Sequence, residues 1–424
     1  MTDTQPRRKR RPSFKKQVAR LQSFIKHNRF DPLLVHKVDW LLLILVLAIS
    51  FYGVVCIFAA TGVPTEQTAT SFLELLSIQP VSYARLQLLW IAVGLIAMCA
   101  TMYFSYQLLS QFSNFIYWAN IALLVIVLGM EAGRGGMSGW FRIGESRTFQ
   151  PSEIAKLAII ISLAKWFSNR KKPIETFSEM LPVLAYVGLP LLLIVAQPDY
   201  GTAMVYIAIL AVMLFISGTS YKLIGSILIT FLLVLLPLWY YLMNADVSDN
   251  FRMMRILSFI DPSADPDAAR QVSNAKIAIG SAGLWGKGLF QEGSFALLNY
   301  IPDDYTDFIF SIVAETFGFV GAGALVLGYF LLMLRMTALS SQSGDSFGSY
   351  LTIGIMAMML FHIFENICMV IGLMPVTGIP LPFISYGGSN MLANYVGIGI
   401  VLNVYMRRSD VRQNTAAVKP TIEI

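Results

Sequence analysis

Charged residues are scarce in this chain. They make up 13% of its 424 residues, whereas hydrophobic residues make up 56%. A soluble protein of this size carries about twice that charged fraction. Apolar runs of helix length recur along the chain, with no soluble catalytic domain beside them. We therefore predict an all-α integral membrane protein, whose chemistry must use its loops and the interior of one helical bundle.

Cysteine and histidine are scarce as well, with three of each. The cysteines all lie in apolar segments, without the spacing of metal ligands: Cys56, Cys99 and Cys368. Such residues are most simply buried free thiols. The histidines are equally unsuited to a zinc site. These absences exclude metalloenzymes that use histidine and cysteine ligands.

The apolar runs predict about ten transmembrane helices, since one crossing takes roughly 20 residues. The spans are predicted at 38–60, 86–106, 113–130, 151–167, 181–196, 201–217, 223–243, 307–334, 349–371 and 388–406. This polytopic domain, residues 38–406, includes a large extracytoplasmic loop, residues 244–306, between helices 7 and 8. Basic residues 1–37 form an N-terminal tail, and residues 407–424 form a C-terminal tail.

Basic residues predict the orientation of the bundle. Eleven Lys and Arg residues lie in the N-terminal tail, and others cluster at 169–172 and 406–412. With ten spans these clusters share one side, which should be the cytoplasm. Both termini are then cytoplasmic, and the first span acts as a signal anchor. The tail is either an amphipathic helix on anionic membrane lipids or a disordered topology signal, and no nucleic-acid partner is expected.

Polar residues inside or beside apolar helices are functional candidates, because hydrocarbon penalises each of them by about several kcal/mol. In "GWFRIGESRTFQPSEIAKL", Pro151 suits a first helical turn, and Glu153 and Lys156 share one face of the helix that follows. They form either a structural ion pair or the lining of a polar cavity for a charged headgroup. In "AQPDYGTAM", Pro198 and Gly201 break the helix and leave Asp199 at the membrane rim, where it either has a functional role or caps the next helix.

Two further stretches concern the outer side. Arg255, Lys276 and Lys287 lie in the outer loop against the positive-inside trend, which suggests an anionic ligand. The glycines of "GSAGLWGKG" allow close backbone approach, as phosphate-cradling loops do. The proline-rich and glycine-rich "MPVTGIPLPFISYGGSN" predicts a re-entrant turn that also forms a cavity wall, with Ser385 a candidate to bind substrate.

Together these stretches resemble the SEDS family, the shape, elongation, division and sporulation proteins typified by RodA, FtsW and SpoVE. The matching motifs are "FQPSEIAKL", "QPDYGTA", "FIDPSADP", "KIAIGSAGLWGKG", "YTDFIFSIVAE" and "PLPFISYGGS". Each is weakly specific, but six in order over residues 31–408 form a strong pattern. The details look closer to RodA-like members than to FtsW.

The resemblance implies a peptidoglycan glycosyltransferase that polymerises lipid II on the outer face of the cytoplasmic membrane. It also implies a class B penicillin-binding protein as partner. The family's catalytic aspartate falls on Asp307, its loop tryptophan on Trp140, and its "QPD" aspartate on Asp199. Its cavity-lining pair falls on Glu153 and Lys156. Tyr305 stands where the family usually has His, which puts a proton-handling role at that position in doubt.

The expected reaction needs one base and several cations. A carboxylate can deprotonate the sugar 4-hydroxyl, and cations can stabilise the pyrophosphate leaving group. We assign the base to Asp307 and the cations to Arg255, Lys276 and Lys287. No cofactor is required with certainty, and a divalent cation, Mg²⁺ or Mn²⁺, is compatible with the step. The alternatives are Asp307 as a helix cap, or Asp303 or Asp304 as the base, although these two aspartates are expected to be solvated loop charges.

Two other classes of function stay open. Buried charges and broken helices are also typical of lipid flippases and transporters, and His362, Glu365 and Asn366 are the residues that favour this class. The polar stretches nevertheless cluster on the outer side, whereas a transporter needs sites that open to both sides. A non-enzymatic scaffold for a transpeptidase is the third possibility.

Overall fold

The computed structural model describes most of the predicted polytopic domain. The described residues are 36–61, 82–129, 141–143, 146–227, 229–230, 233, 259, 261–263, 265–291, 293–296, 298, 300–302, 304–409 and 411. The predictions for most of the basic tail, most of the C-terminal tail and the first part of loop 244–306, residues 244–258, therefore lie outside the described residues.

Helices dominate the structure. In chain order they are α1 (Trp40–Thr61), α2 (Ser82–Tyr103), α3 (Gln107–Gln111), α4 (Ser113–Leu128), α5 (Pro151–Ser168), α6 (Phe177–Ala196), α7 (Tyr200–Ile216), α8 (Pro266–Ser281), α9 (Ile309–Ser341), α10 (Ser346–Val370) and α11 (Gly388–Met406). A two-stranded antiparallel hairpin, β1 (Phe141–Ile143) and β2 (Ser146–Phe149), leads into α5. Pro151 occupies the first turn of α5, as predicted.

Nine of the ten predicted spans coincide with helices. The seventh, residues 223–243, is helical at its start, and most of it lies outside the described residues, so the total of ten stays a prediction. Among the described residues, five helices are long and apolar enough to cross a membrane: α1, α2, α6, α9 and α10. The prediction of an all-α polytopic membrane protein is confirmed, with the short hairpin as an addition.

Helices α5, α10 and α11 form the centre of the bundle. Their side chains are buried on almost every face, which is the pattern of helices surrounded by other helices. Helix α11 also packs closely along α2, where a Cβ atom on Gly94 would lie 2.6 Å from Tyr395 Cδ2. Small residues at such crossings let neighbouring helices approach each other.

Helix α9 is broken near its start. Gly318 has φ 68° and ψ −164°, a conformation outside the helical region. The part after the break, residues 319–341, is about 34 Å long at ~1.5 Å per residue. It can therefore cross a hydrocarbon core of about 30 Å without the first turns. The nine residues before the break, Ile309 to Phe317, belong to the outer end of the bundle.

An ion pair joins α1 to α9 at the opposite, basic end. Asp39 is buried and accepts hydrogen bonds from Arg335 Nε at 3.1 Å, from Arg335 Nη2 and from the Leu42 amide at 2.8 Å. Burial alone would raise the pKa of Asp39. The hydrogen bonds and charge of Arg335, with the Leu42 amide, outweigh burial and hold it below its usual range.

We predict that Asp39→Asn lowers the free energy of unfolding by about 1–3 kcal/mol, because it leaves a partly buried guanidinium without its carboxylate. The contribution of Asp39 is present above the ordinary aspartate pKa and disappears as the pH falls through its lowered folded pKa. Thermal unfolding at pH 7 and at acid pH measures both effects. The matched control is Asp267→Asn, which breaks an exposed arginine pair and should change little. Equal losses in the two variants would contradict this account.

Candidate active site at the outer end of the bundle

Asp307 lies two residues before α9 and is half-buried. The N-cap position of this helix belongs to Phe308, and no side chain caps it. Asp307 is therefore not the N-cap residue of α9.

Three consecutive backbone carbonyls before α9 are fixed by hydrogen bonds. The bonds run from the Tyr386 amide to Tyr305 O at 2.9 Å, from Ser385 Oγ to Thr306 O at 2.6 Å, and from Asn366 Nδ2 to Asp307 O at 2.7 Å. The donors come from α10 and from the turn between α10 and α11. The position of Asp307 is therefore set by groups far away in the sequence.

Two of these donors are fully buried and make a second bond. Ser385 Oγ also accepts from the Leu381 amide at 2.7 Å, and Asn366 Nδ2 also donates to Ile379 O at 2.8 Å. Each side chain thus joins the turn of residues 371–387 to the chain before α9. Asn366 of α10 thus links this helix to both of these segments. Ser385 is predicted to bind substrate. In the structure its hydroxyl group donates to Thr306 O and accepts from the Leu381 amide.

The turn of residues 371–387 forms a wall beside the carboxylate. A Cβ atom on Gly378, which has φ 74°, would lie 3.2 Å from Asp307 Oδ2. Its neighbour Thr377 donates a hydrogen bond to Glu365 Oε1, and Glu365 is fully buried in α10. Only a residue without a side chain leaves the carboxylate room at this wall, and Glu365 holds the wall in place.

Glu153 and Lys156 form the predicted ion pair. Lys156 Nζ lies 2.7 Å from Glu153 Oε1, and both side chains are almost fully buried. Lys156 Nζ also lies 2.9 Å from His362 Nε2. An ammonium group only donates hydrogen bonds, so His362 Nε2 accepts this one. No local sequence pattern pairs His362 of α10 with Lys156 of α5, since the two residues are 206 positions apart.

Asp199 caps α7, as one of its two interpretations predicts. Its carboxylate accepts from the Thr202 amide at 3.1 Å and from Thr202 Oγ1 at 2.9 Å. It also accepts from Ser152 Oγ at 3.0 Å and from Gln150 Nε2 at 3.3 Å. Asp199 therefore joins the starts of α5 and α7, and a role in substrate binding remains a prediction.

Helix α8 of the outer loop lies next to the segment that carries Asp307. Asn274 Nδ2 donates to Tyr300 O at 2.8 Å, and Gln271 Nε2 donates to Pro302 O at 2.6 Å. On this helix Lys276 is exposed, and a Cβ atom on Gly372 would lie 3.3 Å from Lys276 Nζ. Within the described ranges Lys276 makes no salt bridge, so its charge is available to an anion.

Lys287 has a partner within the protein. Its Nζ lies 2.6 Å from Glu315 Oε1, and the Glu315 side chain is 1% exposed. Glu315 also accepts hydrogen bonds from the Phe295 amide at 2.9 Å and the Ala296 amide at 3.2 Å. The Lys287 charge thus neutralises a buried carboxylate of α9. This binds the outer loop to the helix that Asp307 precedes.

The glycine-rich loop fills the break in α9. Four backbone bonds cross between them: Lys287 N to Glu315 O at 2.8 Å, Gly288 N to Thr316 O at 3.0 Å, Phe319 N to Gly283 O at 3.0 Å, and Val320 N to Leu284 O at 3.1 Å. A Cβ atom on Gly286 would lie 2.3 Å from Thr316 O. The close approach that the glycines predict is confirmed, but it is made to α9. The amides of residues 286–288 all donate to carbonyls, so they do not cradle a phosphate.

The other candidates are placed as follows. Trp140, Arg255 and Asp303 lie outside the described residues. The prediction that Asp304 is a solvated loop charge is wrong, since it is 3% exposed. Tyr305 stacks on Tyr83, with ring centroids 4.6 Å apart, so its described contact is aromatic packing.

Within the described ranges, no group of three or more His, Cys, Asp and Glu side chains could hold a metal ion.

These features define a polytopic membrane protein with a carboxylate site at the end of the bundle that is predicted to face outward. Comparison with known proteins identifies the family. The FtsW, RodA and SpoVE family model, described as "Cell cycle protein", matches residues 39–410. The chain belongs to this family. It is a glycosyltransferase, as are curated relatives that are named peptidoglycan glycosyltransferases.

Relatives and solved structures agree. The peptidoglycan glycosyltransferase MrdB of Escherichia coli (strain K12) is 33% identical over 371 residues, which are 87% of this chain and 94% of that protein. Stage V sporulation protein E of Bacillus subtilis (strain 168) is 33% identical over 374 residues, 86% of this chain and 96% of that protein. A crystal structure of the rod shape determining protein RodA of Thermus thermophilus has a TM-score of 0.62 at 27% identity, covering 88% and 97% of the two chains. A chain of a peptidoglycan synthase complex that coordinates polymerization and crosslinking has a TM-score of 0.71 at 28% identity, covering 88% and 98%.

We predict that Gly286→Ala releases the outer loop from α9 and lowers the free energy of unfolding by about 2 kcal/mol or more. The added methyl group meets backbone atoms, and φ is 79° at this position. Limited proteolysis and thermal unfolding measure the effect. Gly280→Ala is the control, because no atom lies within 4 Å of a Cβ there and alanine favours a helix. Unchanged proteolysis of the Gly286→Ala protein would contradict the docking of the loop.

Proposed function

We propose that this glycosyltransferase polymerises lipid II into peptidoglycan strands on the outer face of the bacterial cytoplasmic membrane, with Asp307 as general base. The observation that carries the proposal is the carboxylate itself. It is half-buried beside Gly378, and three hydrogen bonds to the chain from Tyr305 to Asp307 hold it there. A base that is fixed before substrate arrives saves the cost of ordering it.

In the proposed step a new glycosidic bond forms between the acceptor sugar's 4-hydroxyl oxygen and the donor's anomeric carbon. The bond from that carbon to the pyrophosphate oxygen breaks, and the pyrophosphate leaves with the electron pair. Asp307 takes the hydroxyl proton. The leaving undecaprenyl pyrophosphate needs no proton, but its charge needs cations.

The contacts of Lys276 and Lys287 differ, and this difference separates their proposed roles. Lys276 is exposed on α8, near the turn of residues 371–387, and we assign it to the pyrophosphate together with Arg255. Lys287 is bonded to Glu315, so we assign it to holding the loop against α9. Lys287 would reach the pyrophosphate only by giving up a bond to a buried carboxylate, which is costly.

Glu153 and Lys156 would line the cavity that takes the headgroup, with Asp199, Ser385 and Trp140 contributing to its walls. The proposed partner is a class B penicillin-binding protein. The similarity to a chain from a peptidoglycan synthase complex supports a partner that crosslinks the strands.

A lipid flippase or transporter is less well supported. Of the residues that favoured it, His362 contacts Lys156, Glu365 contacts Thr377, and Asn366 contacts two backbone carbonyls. Each of these contacts joins separate segments of the bundle. The scaffold alternative requires that loss of Asp307 leave cell-wall synthesis intact.

We predict that Asp307→Asn lowers the rate of lipid II polymerisation by about 10²–10⁴-fold, the usual effect of removing a general base. Purified protein, with and without its transpeptidase partner, is assayed for glycan product. Asp304→Asn tests the rival base, and the exposed Asp267→Asn controls for loss of an outer carboxylate. A folded Asp307→Asn protein that polymerises at the wild-type rate would refute the assignment.

We predict that Lys156→Met destabilises the protein by about 3 kcal/mol, since Glu153 is then buried without its partner. Adding Glu153→Gln removes the second charge and should restore much of the stability. If the pair also binds the headgroup, the double variant still loses about tenfold or more in polymerisation. Thermal unfolding and product formation separate the two roles. Recovery of both properties in the double variant would leave only a structural ion pair.

A further inference from the structure

A second cavity lies at the basic end of the bundle, far along α5 from Glu153. It has a volume of about 150 Å³ and opens between the end of α5, the end of α7 and the start of α10. Its lining consists of Phe167, Arg170, Lys171, Lys172, Pro173, Ile174, Ser217 and Tyr350. No step of glycan polymerisation uses this cavity.

The rim of the cavity carries three consecutive cations whose charge is poorly neutralised. Among the described residues, the Arg170 guanidinium forms a salt bridge with Glu179 at 3.7 Å, which is beyond hydrogen-bond distance. In the described part of the chain, nothing accepts a hydrogen bond from the buried Arg170 Nε. Lys171 and Lys172 are exposed and form no salt bridge with any described residue. The rim therefore favours an anion.

The floor of the cavity is apolar and held in place. Phe167 and Ile174 are buried, and the Phe167 and Tyr350 rings lie 5.5 Å apart. The Ser220 amide donates to Ile174 O at 3.0 Å, which ties the loop after α5 to the segment after α7. A basic rim above an apolar floor suits a ligand that is anionic at one end and apolar at the other.

We propose that this cavity binds the phosphate group of an anionic phospholipid from the leaflet at the basic end of the bundle. A volume of about 150 Å³ holds roughly five waters, at about 30 Å³ each, which is room for a phosphate and part of its glycerol. Because the cavity lies where three helices of the bundle end, we place it near the lipid headgroups. Basic pockets between transmembrane helices are suited to such headgroups.

The positive-inside rule alone also predicts positive charge at this end of the bundle. That rule depends on the number of Lys and Arg residues near the membrane and does not require a cavity. The two explanations differ in site specificity. A topology signal predicts that any lysine near the same surface attracts lipid equally. A pocket predicts that lipid binding depends on the rim residues in particular. Lys222 provides the matched control, since it is exposed after α7 and does not line the cavity.

Native mass spectrometry of the full chain, extracted into detergent, tests the proposal. Phosphatidylglycerol, phosphatidylcholine and inorganic phosphate are added separately, and thermal unfolding confirms that each variant is folded. We expect one tightly retained phosphatidylglycerol on the wild type and weak retention of phosphatidylcholine. The double change Arg170→Gln with Lys172→Gln should weaken retention by about 30-fold, at the usual contribution of each cation near a lipid surface. Lys222→Gln should bind as the wild type does.

Three results would overturn the proposal. One is equal retention of phosphatidylglycerol by the rim variant and the wild type. Another is an equal loss in Lys222→Gln, which would show diffuse attraction to charge. The last is binding of inorganic phosphate with no retention of phosphatidylglycerol, which would make the ligand a soluble anion. Arg170→Lys, which keeps the charge, should retain most of the binding if the rim acts on a phosphate.

Discussion

The structure depends on satisfying backbone polar groups where the outer helices are interrupted. Within or beside a membrane, water does not compensate for a broken helix, so protein groups must do so. Here the chain is irregular before α9 and again at Gly318. Side chains of Asn366 and Ser385 and the Tyr386 amide satisfy the first irregularity, and the glycine-rich loop satisfies the second. The proposed base lies between these two supports.

The same constraint explains why the outer loop and the turn of residues 371–387 belong to one site. The loop is bonded to α9 through its backbone and through the ion pair of Lys287 with Glu315. The turn is bonded to α10 and to the chain before α9. Asp307 is thus held from both sides by segments that are distant in sequence. Partial burial of the Asp307 carboxylate costs free energy. The hydrogen bonds to its backbone keep the residue in this position nevertheless.

The positions of most helices could be predicted from the sequence, because apolar runs of helix length locate helices well. The pairing of Glu153 with Lys156 followed from their spacing on one helix, and the cap at Asp199 followed from the helix breakers around it. Long-range contacts could not be predicted, since nothing local links His362 to Lys156 or Ser385 to Thr306. The partner of Lys287 was missed for the same reason. The sequence shows its charge but not the buried Glu315 that takes it up.

The central claim is that Asp307 acts as a base from a position that the surrounding backbone fixes. The most direct measurement is the pH dependence of single-turnover polymerisation of lipid II by the wild type and by Asp307→Asn. A general base must be deprotonated to act, so the wild-type rate should fall as the pH is lowered through the carboxylate's titration. The slow residual rate of Asp307→Asn should lack that fall. An identical acid limb in both proteins would contradict the account, because the titrating group would then be another residue.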